Sequence, residues 1–222
     1  MNWQRILFYL PGIIIGLTVY EYCHALAAYK LGDHTAREMG RLSFNPLKHI
    51  DIIGFLFIIF AGFGWAKPVQ FNPENLSRPR RDKAIIAAAG PLSNLILAFA
   101  FIGLVWLLLF LASALNSPGG LNSFFSYFFP RIFSGLFAVI YYGAMINMGL
   151  FIFNLLPVPP LDGSHIVFSG LNLSPETERS IMKIGMPLLF IILIIQNRTN
   201  ITIIPIGKLV NFMLRIFMPS LG

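Results

Sequence analysis

The sequence predicts an all-α, polytopic membrane protein of about five transmembrane helices, and three observations carry that reading. Of its 222 residues, 56% are hydrophobic and 11% charged, where a soluble domain carries roughly 25% charged residues. Long apolar runs recur, several near the ~20 residues a helix needs to cross a bilayer. The charges collect between those runs: nine of the 16 basic residues lie between Lys30 and Lys83.

The elements follow in order. The first span covers about 6–31, with Pro11 and Gly12 placed to kink it near its start. A polar, basic loop fills 32–51. The apolar run at 52–65 is too short to cross, so it is expected to dip into the membrane and return, as a re-entrant or hairpin segment. A second basic loop, 66–83, leads to the second span at about 84–115. A polar stretch at 116–130 precedes the third span at about 132–156. The Pro-rich break PVPPLDGSH, 157–165, ends it. Two shorter apolar stretches, about 181–196 and 201–218, complete five crossings. We read one membrane-embedded domain, with a core over 1–170 and C-terminal helices over 181–218.

The basic loops set the orientation. By the positive-inside rule, 30–83 faces the cytoplasm and the N-terminus lies outside. The formal net charge of +7 is explained the same way, so no nucleic-acid partner is expected. The single cysteine, Cys23, excludes an internal disulfide. Arg5 is the sole early charge and the apolar run continues past any plausible cleavage site, so the N-terminus reads as helix rather than leader. A plasma membrane, bacterial or archaeal, is the expected location.

Chemistry points to the stretch VYEYCHALAAYK, 19–30. Glu21 and His24 lie in the cytoplasmic half of the first span, where a lone ionisable group is expensive and is a functional candidate by default. Asp162 falls just past the cytoplasmic end of the third span, at similar depth. Positions 20 and 24 are four apart, about 40° from each other around the helix axis, and share a face. With His at position 20 the stretch would read H-E-x-x-H, two zinc ligands and a Glu general base. Position 20 is Tyr.

Four pieces in order carry a resemblance. They are EYCHALAAYKLGD running into GRLSFNPLKHID, then GWAKPV, AGPLSN and NLLPVPPLDG. Together they span most of the first 165 residues, and in this order and spacing the chain resembles the site-2 protease family of intramembrane zinc metalloproteases, in its short form without a PDZ domain. The resemblance implies Zn2+ as cofactor and a membrane-spanning protein as substrate, cut within or near the lipid bilayer by zinc-activated water. It implies that His24 and Asp162 are metal ligands and Glu21 the catalytic base. It implies that Asn94 holds the substrate backbone or the oxyanion, and that Asn154 helps to hold the Asp162 loop.

Tyr20 stands where the family has a His ligand. A neutral imidazole donates to zinc as it stands, whereas a phenol must first lose a proton with a reference pKa near 10. Weak or absent zinc and impaired hydrolysis are expected. Cys23 points about 100° away from His24, and His34 and His49 lie in the cytoplasmic loop, leaving His165 as the best of a poor set of substitute ligands. Two other functions stay open: a non-catalytic, protease-like scaffold that binds membrane helices, and a small ion-coupled transporter using Glu21 and Asp162.

Overall fold

The computed structural model describes residues 3–61, 64–115, 123–171, 173–199 and 202–219. The described residues are mostly helical. Its helices are α1 (Trp3–Lys30), α2 (Thr35–Glu38), α3 (Ile52–Ala61), α4 (Pro79–Leu115), α5 (Ser123–Asn154), α6 (Asp162–Leu171), α7 (Pro175–Arg198) and α8 (Ile206–Phe217). Among the described residues, the only strand-like feature is an isolated antiparallel bridge between Ile50 and Ala66.

Four of these helices are long and apolar enough to cross a membrane, over Ile6–Lys30, Pro79–Ser113, Ile132–Asn154 and Glu176–Arg198. The fifth expected crossing, 201–218, instead holds the twelve-residue α8, about 18 Å long at 1.5 Å per residue. At ten residues, α3 is likewise too short to cross. Pro79 opens α4 and Pro175 opens α7, where a missing backbone N–H costs nothing. Ser174 caps α7 by accepting from the Thr177 N–H at 3.2 Å. Of the polar stretch expected at 116–130, residues 116–122 lie outside the described residues and the remainder belongs to α5, which begins at Ser123.

The core is a three-helix packing of α1, α4 and α5, with α6 laid on α4 and α8 on α5. Ala98, Val105, Ala144 and Met148 are fully buried between α4 and α5, and Val210 and Leu214 of α8 close that cluster. The Trp106 indole N–H donates to the Phe217 carbonyl at 3.1 Å and pins the end of α8. Polarity is arranged against the usual rule for a soluble protein. Leu7, Phe60 and Ile96 are 68 to 70% exposed, while Glu21, His24, Asp33, Arg41, His49 and Asn94 are buried. An apolar outside around a polar inside is the arrangement a bilayer solvates best.

A polar layer sits at the Lys30 end of α1. The Asp33 carboxylate accepts from Thr35 Oγ1 at 2.6 Å, Asn75 Nδ2 at 2.7 Å and the Asn72 N–H at 2.9 Å. Burial alone would raise its pKa, but these bonds outweigh burial and hold it below the usual carboxylate range. Asp33 thus ties the end of α1 to the turn Pro73–Asn75 that precedes α4.

Candidate metal centre and its supports

Tyr20 and His24 share one face of α1, with Glu21 turned to the side, and α4 passes close beside Tyr20 and His24 at Gly90. A Cβ built at Gly90 would run into His24 Nε2 and the Tyr20 ring. Glycine is therefore what lets α4 approach the donors. Asp162 arrives from the other side, as the first residue of α6, where the helix N-terminus favours a carboxylate. The next residue, Gly163, lies against the carbonyls of Leu155 and Leu156, which leave no room for a side chain. This is how the chain turns from the end of α5 into α6 and brings Asp162 to α1.

The three side chains meet. The Tyr20 hydroxyl donates to Asp162 Oδ2, and His24 Nε2 lies 3.2 Å from that same oxygen. The Tyr20 and His24 rings stand edge to face with centroids 4.5 Å apart. His24 Nδ1 is 2.7 Å from the Ile86 carbonyl. A carbonyl only accepts, so Nδ1 carries the proton and donates it. The remaining nitrogen, Nε2, faces the Asp162 carboxylate, which also only accepts, so Nε2 donates there and would have to give up that proton to ligate a metal.

Glu21 is held apart from this group. Its Oε2 accepts from the Val69 N–H at 2.9 Å and lies 3.8 Å from Arg41 Nη2. Arg41 is itself buried and donates to the carbonyls of Lys48 and Lys67. The 64–69 segment is docked by this guanidinium and by the Lys67 N–H, which donates to the His49 carbonyl at 2.8 Å. Arg41 and the Val69 amide are the supports that sequence reasoning missed. Arg41 reads as one more charge in a basic loop, and a backbone N–H has no sequence signal.

The other expected residues fall as follows. Asn94 is fully buried, one turn beyond Gly90 on α4, and neither of its amide atoms has a partner among the described residues. Asn154 Nδ2 donates to the Leu150 carbonyl at 3.0 Å, within its own helix. Cys23 is a half-buried free thiol. His165 lies on α6, its ring against Phe168. His34 lies against the Tyr29 ring.

His49 is fully buried in the support layer, its Nε2 2.6 Å from the Ser43 carbonyl. Burial pushes its pKa below the ordinary imidazole value, the Arg41 and Lys48 cations push the same way, and the Ser43 bond opposes them. The folded protein therefore holds a neutral imidazole. Above the unfolded value of about 6.5 this costs nothing. As pH falls below it, the unfolded chain takes up a proton the fold refuses, and stability drops until the folded pKa is reached. The thermal midpoint is expected to fall between pH 7.5 and 5.5, and to fall less in His49→Gln. An equal fall in both would remove His49 as the cause.

Whether the residues fit a zinc ion is decided by the donor set. His24 and Asp162 converge as two ligands would. The third position does not serve: a phenol that ligates has lost its proton, and here the Tyr20 hydroxyl spends that proton on Asp162. Among the described residues, no group of three His, Cys, Asp or Glu side chains is placed to hold a metal. As the chain stands, the donor set does not fit zinc.

A helical, membrane-crossing chain that gathers a Glu-x-x-His helix and a remote Asp inside its bundle is a protein of the intramembrane metalloprotease class. A family model confirms this over residues 8–194, and the chain belongs to peptidase family M50. It is 42% identical over 159 residues to "Putative zinc metalloprotease YwhC" of Bacillus subtilis, covering 70% of this chain and 65% of that one. It is 28% identical over 177 residues to the similarly named Rip2 of Mycolicibacterium smegmatis, covering 78% and 60%. To MJ0611 of Methanocaldococcus jannaschii, another relative of that name, it is 29% identical over 170 residues, covering 75% and 73%. The chain thus spans less than two thirds of the length of YwhC and Rip2. No solved structure matches it.

Proposed function

We propose that this chain is a site-2-protease-type membrane protein that receives a transmembrane segment of another protein beside α1 and α4, on the cytoplasmic side of a plasma membrane, and that it hydrolyses that segment poorly as written. The observation that carries the second half is the Tyr20 hydroxyl bonded to Asp162, where the family chemistry needs a third donor free for metal. The relatives' names, the family match and the Glu21–His24–Asp162 set support the first half.

Two residues are suited to a peptide. Asn94 offers an unpartnered buried amide, which costs about 1–3 kcal/mol until a partner arrives. A peptide unwound beside α4 would supply that partner from its backbone. Glu21, held by Val69 and Arg41, is the group to accept a proton and hand it on to a leaving amine.

The test uses a tagged single-span membrane protein in liposomes with the purified chain. Co-purification with little or no cleavage is the expected result, and Asn94→Leu weakens capture. Rapid cleavage by the chain as written contradicts impairment. Failure to capture any single-span helix contradicts the binding half.

A further inference from the structure

Asp162 meets α1 through one oxygen, Oδ2, which takes both the Tyr20 hydroxyl and His24 Nε2. Elsewhere α6 lies on α4, so this carboxylate is the side-chain link that fastens the start of α6 to α1. In a metal site of this kind the ion is the fastener, since a ligand from each element is bound to it. Here a phenol stands in the third position with its ring edge-on to His24 and its hydroxyl on the carboxylate. Gly90 leaves α4 flush against both rings. The pieces that would enclose an ion enclose a hydrogen bond instead.

We infer that the Tyr20 hydroxyl replaces the metal as the tie between α1 and α6, so that this chain assembles its site without any ion. Tyr20 acts through Asp162, as a positioning residue. This rests on reading position 20 as the place of a ligand. It also goes beyond impaired hydrolysis, because a chain that had merely lost a ligand would hold Asp162 to α1 through His24 alone. The tie keeps α6, and with it the surface beside α1 and α4, in place for capture of a membrane helix.

The tie predicts a stability signature opposite to that of a metal site. In detergent, Tyr20→Phe keeps the ring and loses only the hydroxyl. Its thermal midpoint is expected to fall by roughly 5 °C, the loss of one buried hydrogen bond to a carboxylate in a chain of this size. Asp162→Ala is expected to fall at least as far, and Tyr20→Phe/Asp162→Ala no further than Asp162→Ala alone, since the two share one interaction. A strong chelator leaves the midpoint of the chain as written unmoved. In Tyr20→His the midpoint becomes dependent on added zinc, and the chelator reverses the gain.

Two results overturn the tie: a Tyr20→Phe midpoint equal to that of the chain as written, or a chelator-induced fall in the unaltered chain. If Tyr20→Phe cannot be recovered folded, the chelator comparison on the unaltered chain decides alone. Failure of the tie is distinguishable from failure of the functional reading. If Tyr20→His binds zinc and cleaves while Tyr20→Phe is as stable as the parent, the tie is wrong and the protease reading stands. If Tyr20→Phe loses stability while Tyr20→His neither binds zinc nor cleaves, the tie stands and the reading fails.

Discussion

Tyr20→His is expected to raise cleavage of a single-span substrate by on the order of 100-fold or more over the chain as written. The estimate starts from the loss that follows disruption of a metal ligand's outer supports, some 10–100-fold, and a ligand itself matters more. The rest of the site is ready for the change. His24 is oriented by its Nδ1 bond to the Ile86 carbonyl, with Nε2 turned toward Asp162, Asp162 is delivered by the turn at Gly163, and Gly90 leaves room beside position 20. The substitution also frees Asp162 from the hydroxyl that now engages it. A proteoliposome assay with the two proteins side by side measures this. Equal rates would show that position 20 does not limit the reaction.

Glu21→Gln in the Tyr20→His background is expected to remove nearly all of that cleavage, by roughly 10²–10⁴-fold, the usual worth of a positioned general base. An amide has the shape of the carboxylate and can still accept from the Val69 N–H, so the docked 64–69 segment and the capture of a membrane helix should persist. Loss of capture together with cleavage would make Glu21 a structural anchor for that segment. Unchanged cleavage would reject Glu21 as the base.

Much of this architecture is legible in the sequence because a bilayer leaves so few solutions. Apolar runs became α1, α4, α5 and α7, although α5 starts nine residues before the expected 132 and α7 six before the expected 181. The meeting of positions 20, 24 and 162 was also legible, through the periodicity of one helix and the order of the motifs. What the sequence hid is physical in origin. The helix α6 is buried in a stretch that reads as a break, because Pro157, Pro159 and Pro160 precede it and Gly163 lies in its first turn. Its start is set by the close fit of Gly163 against two carbonyls, which no local propensity reports. Arg41 looked like a topology charge and is a buried clamp between Glu21, Lys48 and Lys67. The tie between Tyr20 and Asp162 spans 142 positions. The sequence announces a missing ligand there but not the hydrogen bond that takes its place.

Zinc content per chain, measured by elemental analysis on detergent-purified protein, tests the central claim most directly. The chain as written should hold close to none and Tyr20→His about one per chain, because the phenol at position 20 is engaged with Asp162 and an imidazole there would not be. About one zinc in both proteins, surviving the same wash, would contradict the claim that Tyr20 has replaced the metal.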